Sequence, residues 1–171
     1  LASLAGLFVI LDSAQGDRRL SLTSFRPGEI LLVRATVIAV ASIVATAAGL
    51  AITAMSFDAV NWWVFVAANV LVALTYSMIG VMVGPVFGRL GGLYLLLLLP
   101  FIDVGIAQNA MFDAAPPRWG RFLPAHGAVR VAMDGAFTPS FDEWGALLLA
   151  AAWLAILGVL AAVSFRRVVA T

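Results

Sequence analysis

Four runs of apolar residues, each close to the roughly twenty residues a helix needs to cross a bilayer, constrain this chain more than anything else in it. They extend from Arg34 to Met55, from Trp62 to Gly84, from Gly91 to about Asn109, and from Trp144 to Ser164. Hydrocarbon offers the backbone no hydrogen-bond partners, so a chain crosses it only as helices or as a closed barrel. The length and continuity of these runs select helices.

Composition agrees. The chain is 63% hydrophobic and only 11% charged, with a mean hydropathy of +1.06, well outside the balance of soluble domains. The expected fold is an all-α integral membrane protein: a polytopic bundle with four complete transmembrane helices and the end of a fifth. A re-entrant or interfacial helical segment on the outer side completes it. The partial helix is the opening LASLAGLFVIL, Leu1 to Leu11, too short to span alone and without the basic start or cleavage pattern of a signal peptide. It reads as the end of a helix that begins before the sequence given. Residues 1–171 are then one transmembrane domain, a fragment of a larger one.

Between Asp12 and Arg34 the run DSAQGDRRLSLTSFRPGEILLVR is too polar for hydrocarbon. Pro27 suits the first turn of the next helix, with Ser24 as its cap and Glu29 in the positive first turn. Ser56 to Asn61 forms a tight turn, and Trp62-Trp63 anchors the next span at the interface. Gly84-Pro85 ends that span, and Pro85 to Gly91 is expected to make a short polar turn around Arg89. The third span is expected to kink or break near Pro100. From there to Phe137 the chain is long, aromatic and half apolar, which suits a segment lying at the membrane surface.

All ten basic residues are arginines, and their placement sets an orientation. Arg18, Arg19, Arg26, Arg34, Arg89, Arg166 and Arg167 fall on one side; Arg118, Arg121 and Arg130 fall on the other. By the positive-inside rule the loop from Asp12 to Arg34 and the C-terminus are cytoplasmic. The lysine-free, Ala-, Arg- and Gly-heavy usage points to a GC-rich bacterial genome, and the expected location is the plasma (inner) membrane.

Much chemistry is excluded. The chain has no cysteine and one histidine, His126, so a disulfide framework, a thiolate metal site and HExxH are all ruled out. Without lysine there is no Walker A loop, and no GxSxG elbow appears. The chain is not expected to be an enzyme, to bind a cofactor or metal, or to take a nucleic-acid partner; its partner on all sides is the lipid bilayer.

A few residues stand out. Asp103 lies inside an apolar run, where a carboxylate is either functional or a cap for the next helical piece. Gly80 and Gly84 have the spacing of a close helix-packing notch. Arg18-Arg19 can mark topology, bind anionic lipid or meet a protein, with Leu20 and Leu22 available for docking. His126 reads as an ordinary interfacial residue, and Trp119, Phe122 and Phe137 as surface anchors.

This arrangement resembles the membrane subunits, or permeases, of type-2 ABC exporters. Their six-helix domain has a cytoplasmic coupling helix between its second and third helices, and a re-entrant pair of short helices on the outer side between the fifth and sixth. QGDRRLSLTSFRPGEILLVR is similar to the family's coupling region, and PPRWGRFLPAHGAVRVAMDGAF to its outer motif. The family's usual Glu at the start of the coupling loop has Asp12 as its nearest counterpart. The resemblance implies that Gly16, Asp17, Arg18, Arg19, Leu20 and Leu22 contact an ATPase, with Pro27 opening the next helix. The outer gate would then involve Pro100, Asp103, Trp119 and Pro124. It also implies separate ABC ATP-binding subunits carrying ATP and Mg, a second permease domain making a homo- or heterodimer, and an amphipathic substrate. A non-transporting scaffold or assembly subunit has the same topology, and an intramembrane enzyme would have only Asp103 and His126 to work with.

Overall fold

The computed structural model describes residues 27–108 and 117–170. Every described element is helical: α1 (Pro27–Ala54), α2 (Trp62–Pro100), a π-helical turn (Phe101–Ala107), a 3-10 turn (Arg118–Phe122), α3 (His126–Phe137) and α4 (Trp144–Ala170). Four stretches are long and apolar enough to cross a membrane: Thr36–Ala54, Trp62–Val83, Leu90–Ala107 and Trp144–Ser164. The chain is a multi-pass membrane protein. Leu1 to Leu11 and the coupling residues Gly16, Asp17, Arg18, Arg19, Leu20 and Leu22 lie outside the described residues.

One whole span and most of the next lie in α2, which folds back on itself. Asp103 follows Tyr76 by 27 residues, which in a straight helix would separate them by about 40 Å. Instead the Tyr76 hydroxyl donates to Asp103 Oδ2 at 2.6 Å, and Val83 packs in one cluster with Leu96. The reversal occurs at Gly88, with φ 66° and ψ −171°, a region of backbone space essentially closed to residues with a side chain. The turn expected over Pro85 to Gly91 is found within those residues, but as a one-residue reversal at Gly88 and not as a polar loop. Helix continues through Pro85 and resumes directly after one glycine, because a single residue in this conformation redirects the axis without a loop.

The kink or break expected near Pro100 falls where regular α-helix ends, at Pro100 itself. Past Pro100 the chain winds more widely, in a π-helical turn whose last bond runs from Gln108 N to Asp103 O at 3.0 Å. Proline cannot supply the N–H of a regular turn, and wider winding keeps the following backbone hydrogen-bonded at membrane depth.

Packing fixes the order of the spans. Ile38 of α1 meets Val81 and Ala161, and Ser42 meets Ser77 with oxygens 2.5 Å apart, so α1 runs antiparallel to the first limb of α2. Ala146 packs with Ala68 and Ala161 with Val81, so α4 runs parallel to that limb. The α1–α2 loop, the π turn, the 3-10 turn and α3 thus share one end of the bundle. Gly88, Arg89 and the end of α4 share the other.

The seams are made of small residues. Ala68, Ala150 and Ser42 are each at most 1% exposed. Between helices in lipid there is no hydrophobic driving force, so close backbone approach and hydrogen bonds carry the packing. Ser42 also faces Ile38 O at 2.7 Å and Ser77 faces Ala73 O at 2.7 Å, so the contact across the seam uses the proton of one of the two hydroxyls and a lone pair of the other. Gly80 is buried, and Gly84 lies one turn further along the same limb.

Gly88→Ala is expected to destabilise the protein by about 1–3 kcal/mol through backbone strain. Gly158→Ala, whose added carbon meets nothing within 4 Å, serves as control. Thermal unfolding in detergent or nanodiscs reads the difference; equal midpoints for the two variants would refute the reversal at Gly88.

Candidate functional site

Twelve residues make α3, about 18 Å of helix against a hydrocarbon core of roughly 30 Å. It is too short to cross, and it is held at both ends. At its C-terminal end the carbonyls of Gly135 and Ala136, which an isolated helix leaves without partners, accept from Asn61 N at 2.8 Å and Val60 N at 3.2 Å. At its N-terminal end Ala125 N donates to Asp103 Oδ2 at 3.1 Å. A carboxylate there also meets the positive end of the helix dipole.

Two glycines let α3 lie this close. A Cβ on Gly127 would run into Ala146 O and Ala150 N of α4, and one on Gly135 would come within 2.6 Å of Phe65 N. The face between them carries Val131, 2% exposed, onto Ala68 and Ala146. The outer side is tied down by Arg130 and Glu143, 2.5 Å apart, and by Asp134, which accepts from Thr138 Oγ1 at 2.5 Å and Asp142 N at 3.3 Å. Phe57, Phe65 and Phe137 stack at the same end.

The centre of this end is a buried polar chain. Asp103 is 1% exposed. Besides Tyr76 and Ala125 it has Gln108 Nε2 at 3.5 Å, a long contact. That same Nε2 donates to Gly120 O at 2.7 Å, joining the π turn to the 3-10 turn. Since both neighbours of Nε2 are acceptors, the amide orientation of Gln108 follows from its partners. Its Oε1 then faces His126 Nδ1 at 2.9 Å, so Nδ1 carries the proton and donates. Among the described residues no buried side-chain polar atom lacks a partner. His126 is thus a member of this chain, 7% exposed, which corrects its reading as an ordinary interfacial residue.

Of the four residues assigned to an outer gate, Asp103 is the hub, and Pro124 immediately precedes the Ala125 that it binds. Trp119 is exposed beside Gly120. Pro100 turns toward a cleft of about 430 Å³ between α1 and both limbs of α2. Tyr76 borders that cleft and also bonds Asp103. The sequence reading missed Tyr76, Gln108, Gly127 and Gly135. A tyrosine in an otherwise apolar span was the one available signal; the others depend on contacts across the fold. Among the described residues no cluster of three potential metal ligands occurs.

No family model, curated protein or solved structure matches this chain.

Replacing Asp103 by Ala is expected to orphan the Tyr76 hydroxyl and the Ala125 N–H, at about 1–3 kcal/mol for each buried group. Combining it with Tyr76→Phe should give less than the sum, with coupling of about 0.5–3 kcal/mol in thermal unfolding. Strict additivity would show that the two side chains do not interact.

Burial, then the Arg130 and Arg121 charges, holds His126 below the ordinary imidazole range; Asp103 and Glu143 oppose this. With the folded value depressed, the unfolded chain binds the proton more readily. The contribution of His126 is therefore complete above about pH 6.5 and declines as pH falls through that value toward the lower folded one. In thermal midpoints measured between about pH 5 and 8, His126→Asn should flatten this dependence, and an unchanged slope would remove His126 as its source.

Proposed function

We propose that the chain is the membrane-spanning permease subunit of an ATP-driven ABC exporter, forming the translocation path for an amphipathic substrate. The observation that carries this reading is α3: a non-crossing helix between the last two spans, folded onto them and pinned at both ends. That is the form expected of a re-entrant gate, and an ordinary loop would need none of its glycines or buried hydrogen bonds. The arginine asymmetry supports an orientation with this end facing out and the loop around Asp17 facing the cytoplasm of a plasma membrane.

In this reading a separate ATP-binding subunit holds ATP and Mg and pushes on the coupling region, from Gly16 through Leu22. The displacement passes into α1, which continues from Pro27, and crosses to α2 through Ser42 and Ser77. From α2 it reaches Asp103 through Tyr76 and so loosens the N-terminal end of α3. Two packed arrangements of a pinned helix form a discrete switch of the kind alternating access needs. A second permease domain, identical or related, completes the path.

The absence of cysteine makes the test direct. Ser21→Cys in the complete protein, co-expressed with an ATP-binding subunit, is expected to crosslink in a nucleotide-dependent way. If Ser21→Cys reacts with a cytoplasmic thiol reagent yet gives no crosslink, a scaffold subunit of the same topology replaces the export reading.

A further inference from the structure

The cleft beside Tyr76 has features that packing alone does not require. Its volume of about 430 Å³ lies within the ~300–1,000 Å³ typical of small-molecule sites. It is lined from the segments Thr36–Ala54, Trp62–Val83 and Leu90–Ala107, so it lies at membrane depth. None of its lining residues is charged, yet Thr46, Thr53, Asn69 and Tyr76 all border it.

The direction of their hydrogen bonds defines what would fit. Thr46 donates to Ser42 O at 2.7 Å, Thr53 to Gly49 O at 3.0 Å, Asn69 Nδ2 to Phe65 O at 2.8 Å, and Tyr76 to Asp103 at 2.6 Å. With their single protons bonded within the protein, the three hydroxyl oxygens retain lone pairs that accept, while Asn69 keeps its Oδ1 to accept and one N–H to donate. An ion would be desolvated here with no counter-charge in the lining. A bare acyl chain would leave the acceptors facing hydrocarbon. A neutral molecule with an apolar body and hydroxyl or amide N–H groups satisfies both conditions. Space for it is opened at Gly49, where an added Cβ would meet nothing within 4 Å.

We propose that this cleft binds a neutral amphiphile bearing hydrogen-bond donors, and that Tyr76 joins it to the Asp103 cluster holding α3. The assignment deepens the export reading by naming the class of molecule carried. Its role in transport rests on that reading, whereas binding itself needs no ATPase.

The test is photolabelling of the purified protein in lipid nanodiscs, with a long-chain alkanol carrying an alkyl diazirine, sites being read by peptide mass. Saturable labelling is expected around Gly49 and Asn69, competed by decanol and lost in Gly49→Phe but retained in Gly158→Phe. Labelling there that never saturates, like that of lipid-facing α4 positions such as Leu148, would overturn the site. So would survival of labelling in Gly49→Phe. Equal labelling by a trimethylammonium analogue of the probe would overturn the neutral class. Failure of the Ser21→Cys crosslink together with intact saturable labelling would remove the export reading and leave the site standing.

Discussion

A carboxylate at the end of an apolar span has to be supplied with donors, because water does not reach it and hydrocarbon has none. Asp103 receives them from the first limb of α2, through Tyr76, and from the chain entering α3, through Ala125. Counting the π turn that carries Asp103 itself, one oxygen atom joins three separated stretches. Gln108 extends the point to the 3-10 turn and to His126. Removing the acid would leave each of these partners to find another in a place that offers none. The arrangement at this end of the bundle is in that sense organised by one side chain.

Backbone groups obey the same constraint. The π-helical turn after Pro100 keeps the chain hydrogen-bonded where a proline would otherwise interrupt it. The C-terminal end of α3 is closed by two N–H groups from the residues leading into α2. Gly88 achieves a reversal in one residue and so keeps unpaired backbone to a minimum. Gly127 and Gly135 serve a different need: they remove the side chains that would hold α3 away from the helices whose backbone it approaches. Small residues at the α1–α2 seam play the corresponding role deeper in the bundle, where Ser42 and Ser77 add one polar contact between otherwise apolar surfaces.

Much of the architecture was legible in the chain. The four spans are visible because twenty uncharged residues have few alternatives in water or lipid. Asp103 stood out because charge is rare inside an apolar run. What was misread is equally physical. Gly84-Pro85 looked like a stop, although the conformational demand fell on Gly88. Pro100 did mark the end of regular α-helix, but the wider winding beyond it was not foreseen. His126 looked superficial because nothing nearby in sequence told that Gln108 would meet it from the far side of the segment 109–116.

Hydrophobicity and charge act locally or additively, and so the sequence by itself determined that the described residues hold four helices long and apolar enough to cross a membrane. Hydrogen-bond geometry acts between particular atoms, and its partners here lie 18 to 35 residues apart, as in His126 with Gln108, Ala125 and Tyr76 with Asp103, and Ser42 with Ser77. No periodicity encodes such pairs. Only the tertiary structure decided that α3 folds onto the spans, that a cleft remains between α1 and α2, and that Tyr76 stands between that cleft and the acid holding α3 in place.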